Sequence, residues 1–380
     1  MNEKISALYS EYVIDGISRE MTPYRILSAC LADSGPSAPS GSFDPVVDES
    51  VDPALKPCIT DPALVNRYYE MSRMLPERKF PMSFPETYTK NRIAFSLIDT
   101  IWREGHFRLD DLSLRMDWKW CPGRIGDMTA FYASVCSAAD YIDSLGLKLS
   151  GYSCVGSGCE QTLSVMTGLS AVKESDCTDD FFDELPFSTE HPSLGDGLLR
   201  STELLDDSQS WIIYIPFENC DYRLGASRLA QALGVSGAVA PQIIDADYFI
   251  DCYEVVRELV EDGIVISGAT AGDGGLMAAL RSLSRHDVGM DVELADLSHA
   301  THEEDIVRLL FSEVPGVVIQ IADIDYDYVD AELLLQDVAF FPLGHPVSGR
   351  SDVSIRCSGK TGIQNILESL IQSQSSEGED

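Results

Sequence analysis

The chain is poor in basic residues: 27 Lys and Arg face 62 Asp and Glu, which leaves a formal net charge of −35. Such a surface repels nucleic-acid backbone and anionic membrane, so neither is expected as a partner; it suits a basic protein surface, or solubility alone. No apolar run approaches the ~18 residues of a membrane span. The N-terminus lacks a signal-type apolar stretch and an Arg-rich presequence, which predicts a cytoplasmic protein. The 10 cysteines include no C-x-x-C pair, which excludes a zinc ribbon and a thioredoxin-like motif. Several lie in apolar helical or strand patterns, as reduced core cysteines do, and a reducing compartment is expected. Histidine is scarce as well. Of His106, His191, His286, His299, His302 and His345, only His299 and His302 share a helical i, i+3 spacing, and no Cys or third ligand accompanies them. No metal site and no catalytic residue is assigned.

What is present is an ordinary globular composition, 44% hydrophobic over 380 residues, enough for two domains. The clearest local pattern runs from Asp247 to Leu280. Tyr248, Phe249, Cys252, Val255, Val256, Leu259 and Val260 share one face of a predicted helix. Asp245 or Asp247 suits its start and Gly263 its left-handed end. Ile264-Val265-Ile266 reads as a short buried strand, and Asp273-Gly274-Gly275 as the opening of the next helix. A strand, a small-residue turn and a helix start is a place where backbone N–H groups can face an anion. A second helix is predicted over about 127–145, with Asp127 as a possible cap and Gly146 at its end, and a buried strand at Trp211–Ile215.

Residues 1–28 are predicted as one helix, with Ile5, Leu8, Tyr9, Tyr12 and Val13 on its stripe. Residues 34–53, rich in Ser, Pro, Gly and Asp, read as a flexible linker. The expected organisation is an N-terminal arm and linker over 1–58, a first lobe over 59–210, a second lobe over 211–372 and a disordered tail over 373–380. The first lobe contains an acidic loop at 172–208; residues 174–207 carry eleven acids and Arg200 as the only base.

Several segments, in order, resemble phosphoribosylformylglycinamidine synthase, the ATP-dependent amidine-forming enzyme of purine biosynthesis, within the aminoimidazole ribonucleotide synthetase-like group. Ala269-Thr270-Ala271-Gly272-Asp273-Gly274-Gly275-Leu276 is similar to that family's H-D-x-S-D-G-G-L turn, with Gly268 or Ala269 at the lead position depending on alignment, keeping Asp-Gly-Gly-Leu but neither the His nor the first Asp. Leu224-Gly225-Ala226-Ser227 looks like its L-G-G-S or L-G-A-T turn, and Leu310-Phe311-Ser312-Glu313 like its L-F-N/S-E segment. Ala94–Asp99, Leu114–Trp118, Leu343–Gly349 and Val353–Arg356 resemble further segments. The likeness covers roughly residues 60–372 and is to the second of the enzyme's two tandem repeats.

The resemblance implies an α/β (α+β) fold of two synthetase-like lobes, with mixed sheets packed against helices. It implies Leu224, Gly225, Ala226, Ser227, Gly272, Asp273, Gly274, Gly275 and Glu313 as nucleotide- or phosphate-binding residues. The family's Lys- and Asp-bearing phosphate segment has no counterpart: between Leu149 and Ala171 the only charge is Glu160, and Gly156-Ser157-Gly158 reads as a plain turn, or as a loop whose backbone N–H groups wrap a phosphate. Phosphoryl transfer works largely by positioning and charge neutralisation, so these losses argue against independent catalysis. No glutaminase-like Gly-x-Cys-x-Gly is present. Trp118 is expected to pack, with Asp117 where the family has Asn. In the related enzymes two repeats face each other around a shared barrel, so a lone repeat is expected to leave an apolar face for a protein partner or a second copy. The expected role is a non-catalytic structural or interaction subunit, with no cofactor. The alternatives are a divergent subunit of the synthase that needs a partner chain and uses ATP or ADP with magnesium, and a small-ligand sensor that retains phosphate at 224–227 and 272–275.

Overall fold

The computed structural model describes residues 7–31, 62–75, 79–105, 107–121, 126–156, 160–170, 197–234 and 239–357. They group into two compact units, one drawn from 1–44 and 79–198, the other from 45–78 and 199–380. The linker 34–53, most of the acidic loop and the tail 373–380 lie outside the described residues.

The first unit begins differently from the single helix expected over 1–28. Among the described residues there are instead a 3₁₀ turn (Ala7–Tyr9), a hairpin of β1 (Val13–Ile14) and β2 (Ile17–Ser18), and the helix α1 (Pro23–Ala29). The reason is local. Asp15 and Gly16 both take positive φ, 54° and 77°, which an Asp-Gly pair tolerates at the centre of a two-residue hairpin and a continuing helix does not. Thr22 then caps a new helix with Pro23 in its first turn. These residues are part of the unit and not an added arm: Ile26 and Leu27 are fully buried, and Leu149 donates its N–H to Cys30.

The helix α2 (Pro62–Arg73) groups with the second unit, although the sequence placed it in the first lobe. The first unit continues with α3 (Pro85–Ile101), β3 (Leu112–Trp120), α4 (Asp127–Ser144), β4 (Lys148–Gly156) and β5 (Thr162–Leu169). The strands make a three-stranded sheet in the order β4-β3-β5. Alternation along β3 buries Leu112, Leu114, Met116, Trp118 and Trp120 on one face. Trp118 packs edge-on against Phe131 of α4 and donates its indole N–H to Ser134 at 3.1 Å. Asp127 is the first helical residue rather than the cap, which is Gly126 at φ 103°. The other face presents Arg115, Asp117 and Lys119, beside Ser153, Val155, Ser164 and Met166 in register. Arg115 pairs with Asp117 at 3.1 Å, and Ser153 donates to the same carboxylate at 2.6 Å.

The second unit contains β6 (Trp211–Pro216), α5 (Arg228–Ala232), α6 (Ala246–Glu261), β7 (Val265–Ala271), α7 (Gly275–Leu283), β8 (Val288–Glu293), α8 (Ala295–Thr301), α9 (Ile306–Phe311), β9 (Gly316–Ile321), α10 (Tyr326–Leu335), β10 (Phe341–Ser348) and β11 (Val353–Arg356). Its mixed six-stranded sheet runs β11-β8-β10-β6-β9-β7. Every residue of β9 is buried, so both sheet faces are covered there, and full burial of each such Val or Ile side chain contributes roughly 1.5–3 kcal/mol. α6 follows its sequence pattern closely: Asp245 accepts from Tyr248 N–H at 2.9 Å, and Gly263 takes φ 72°.

β7 extends beyond Ile264–Ile266 to Ala271, through a run of small residues that lets α7 lie close against it. Residues 199–210 also belong here, not with the first lobe. Ser201 bridges to β7, and Gln320 of β9, fully buried, accepts from Leu205 N–H and Ser267 Oγ while donating to Leu205 O and Ser210 Oγ. That saturated amide holds 205–210 against the sheet.

Candidate functional site

Leu224–Ser227 and Gly272–Gly275 are the turns that open α5 and α7. In the first, Leu224 is buried, Ala226 takes a left-handed φ of 63°, and Ser227 caps α5 by accepting from Ala230 N–H at 3.1 Å. Gly225 donates its N–H to Val239 O at 2.7 Å. In the second, Gly275 donates to Gly272 O at 2.8 Å, Asp273 is exposed, and Gly274 and Gly275 take φ of 86° and 69°. A Cβ at Gly275 would stand 2.7 Å from both Leu310 O and Ser312 O, so only glycine allows this close approach. The Asp-Gly-Gly-Leu signature therefore has a folding reason independent of any ligand.

Glu313 joins the two turns. It is 2% exposed, and its Oε1 accepts from Arg228 N–H at 2.8 Å and from Gly274 N–H at 3.0 Å. Both donors lie at the starts of helices, where unpaired N–H groups and the helix dipole favour a negative charge. Hydrogen bonds to a carboxylate are among the stronger ones a protein makes. The Arg228 side chain reaches the other way, donating to Ser72 O at 3.0 Å and Leu75 O at 2.8 Å at the end of α2. Ser312 donates to Arg223 O, which ties the Glu313 segment to the first turn a second time.

Of the predicted residues, Glu313 and Gly274 are thus in direct contact, and the two turns meet at a carboxylate of the chain itself. A phosphate at these N–H groups would have to displace Glu313 and would meet its like charge. At the two positions where the resembling family carries His and Asp, β7 has Ala269, which joins the apolar core, and Thr270. The arrangement does not fit ATP with magnesium on these donors. Among the described residues no group of three or more His, Cys, Asp or Glu could hold a metal ion. His299 and His302 stand with ring centres 6.5 Å apart; His106, His191 and Ser157-Gly158 lie outside the described residues.

Arg228, Arg223 and Gln320 are the contributors that sequence reasoning missed. Arg228 directly follows the predicted turn, but a single Arg there carries no signal of partners 153 and 156 residues away at the end of a helix. Burial pushes Cys30 and Cys154 up to about 11 and Cys136 to about 12, so they remain protonated near neutrality.

No family model matches the chain. Two solved structures share its fold. One is PurLQS from Thermotoga maritima, with a TM-score of 0.50 at 12% identity over 74% of this chain and 41% of that one. The other is T. maritima PurL complexed with FGAR, with a TM-score of 0.52 at 12% identity over 74% and 43%. The chain therefore has an aminoimidazole ribonucleotide synthetase-like fold of mixed sheets packed with helices. In sequence it is similar to human phosphoribosylformylglycinamidine synthase, 22% identical over 153 residues, 40% of this chain. It spans 11% of that enzyme's length and less than half of the two Thermotoga chains. Among the described residues no helix is long and apolar enough to cross a membrane.

Proposed function

We propose that the chain is a non-catalytic relative of one repeat of phosphoribosylformylglycinamidine synthase, acting as a structural or interaction subunit of an assembly. One observation carries this reading: the two helix starts that would present N–H groups to a phosphate both donate to Glu313. A site completed by its own buried carboxylate supports the scaffold and occupies the two donors that join these turns. The missing Lys/Asp phosphate segment and the Ala269-Thr270 pair point the same way. The contact surfaces of such a subunit would be the open face of the three-stranded sheet and the acidic 172–208 region, with a basic protein surface or a second copy as the partner.

A second reading has support in the sequence likeness to the human enzyme: a divergent subunit of an ATP-dependent synthase that gains its missing charges from a partner chain. Isothermal titration of the purified chain with ATP or ADP and Mg²⁺, read beside its mass in solution, separates the two. The scaffold reading expects no heat and a defined dimer or larger complex. Micromolar nucleotide binding would overturn it and favour the synthase or a nucleotide sensor.

A further inference from the structure

The 3₁₀ turn Asp323–Asp325 and α10 carry an apolar ridge in full view of solvent. Ile324 is 88% exposed, Tyr328 47% and Leu335 77%. With Ala331, also exposed, these residues recur at intervals of four, three and four, the spacing of a two-helix seam. Val329 and Leu333, on the opposite side, are fully buried. The helix is therefore apolar on two opposite sides, and only one of them serves the unit's own core.

Carboxylates border the ridge: Asp325 and Glu332 along one side, and Asp327 along the other next to the exposed Leu334. From Asp323 to Asp337 the sequence contains six acids and no base. The field is negative enough to push the Tyr328 phenol above its ordinary value, chiefly through Glu332, with Asp262 and Glu258 adding to it.

We infer that this ridge docks a basic amphipathic helix of a partner protein, its apolar stripe on Ile324, Tyr328 and Leu335 and its Lys or Arg side chains beside Asp325, Asp327 and Glu332. Charge selects the occupant. A second copy of α10 laid on the ridge would set acids against acids, which is destabilising across such a seam. The chain's own 171–196 is no better suited, with eight acids against Lys173, and 358–380 has four against Lys360. A foreign helix with basic flanks satisfies both the apolar stripe and its rim. The inference gives the interaction role proposed above a surface and a partner chemistry. The ridge can nevertheless be tested whether or not the chain binds nucleotide.

The test uses the full chain and two fluorescent peptides of about four heptads. One has Leu at a and d and Lys at e and g; the other is a scramble of the same composition. Binding is read by anisotropy at physiological salt, for the unchanged chain and for Ile324→Ser and Leu335→Ser, whose exposed positions leave the core intact, as unchanged thermal unfolding would confirm. The heptad peptide should bind, and both the scramble and each substitution should weaken binding at least roughly tenfold. Absence of binding, equal binding by the scramble, or indifference to both substitutions would overturn the inference. So would self-association of the free chain that Leu335→Ser abolishes, since that would assign the ridge to a second copy.

Discussion

Glu313 accepts, on one oxygen, two backbone N–H groups that lie 39 and 85 residues away in sequence. Replacing it with Ala would leave the buried Gly274 donor and the half-buried Arg228 donor without that acceptor, which should lower the unfolding free energy by roughly 2–4 kcal/mol. Glu313→Gln keeps a carbonyl acceptor and loses the charge, so its cost should be smaller, about 1 kcal/mol. Urea unfolding of the three proteins reads the difference, and an unchanged midpoint for Glu313→Ala would refute the latch. The sequence pointed to this residue only through its resemblance to a family segment. Nothing in Leu-Phe-Ser-Glu reveals that the carboxylate turns inward, because its donors come from turns that only the folded chain brings near.

Two glycines with the same backbone angle separate local strain from packing. Gly146, after α4, and Gly275, opening α7, both have φ of 69°, but a Cβ at Gly146 meets nothing within 4 Å while one at Gly275 meets two carbonyl oxygens at 2.7 Å. Gly146→Ala should cost about 1 kcal/mol, from the left-handed backbone alone. Gly275→Ala should cost more, by roughly 1–3 kcal/mol, since the turn must also move away from Leu310–Ser312. Equal losses in thermal unfolding would show that the close approach does not matter. At this scale the sequence is most legible where the signals are local. The cap at Asp245, the stripe of α6 and the glycine ends at 146 and 263 stand as their neighbours predict. The N-terminal helix fails because an apolar stripe at helical spacing ignores Asp15-Gly16, whose turn chemistry prevails. β7 is read too short because Ser267–Ala271, small apart from Thr270, lacks the Val and Ile residues that mark a buried strand. Its small side chains answer instead to α7, a neighbour that the strand pattern does not contain.

The whole chain carries a formal charge of −35, and self-repulsion at that density opposes compactness. Raising NaCl from about 0.01 M to about 0.5 M shortens the screening length from ~30 Å to a few Å. The midpoint of thermal unfolding should therefore rise over that range, as calorimetry would show; a flat or falling midpoint would mean that attractive ion pairs, such as Arg257 with Glu254 and Glu261, outweigh the repulsion. The charge balance, the spacing of the cysteines, the cap at Asp245 and the resemblance of the turn motifs follow from the sequence by itself, since each depends on composition or on residues within a few positions of one another. The tertiary structure alone decided that Glu313 fills the gap between two helix starts, that α2 and residues 199–210 join the second unit, and that the ridge of α10 stays in solvent. Those outcomes depend on contacts between residues tens to hundreds of positions apart, and no local pattern encodes which of two apolar helix faces the core will take.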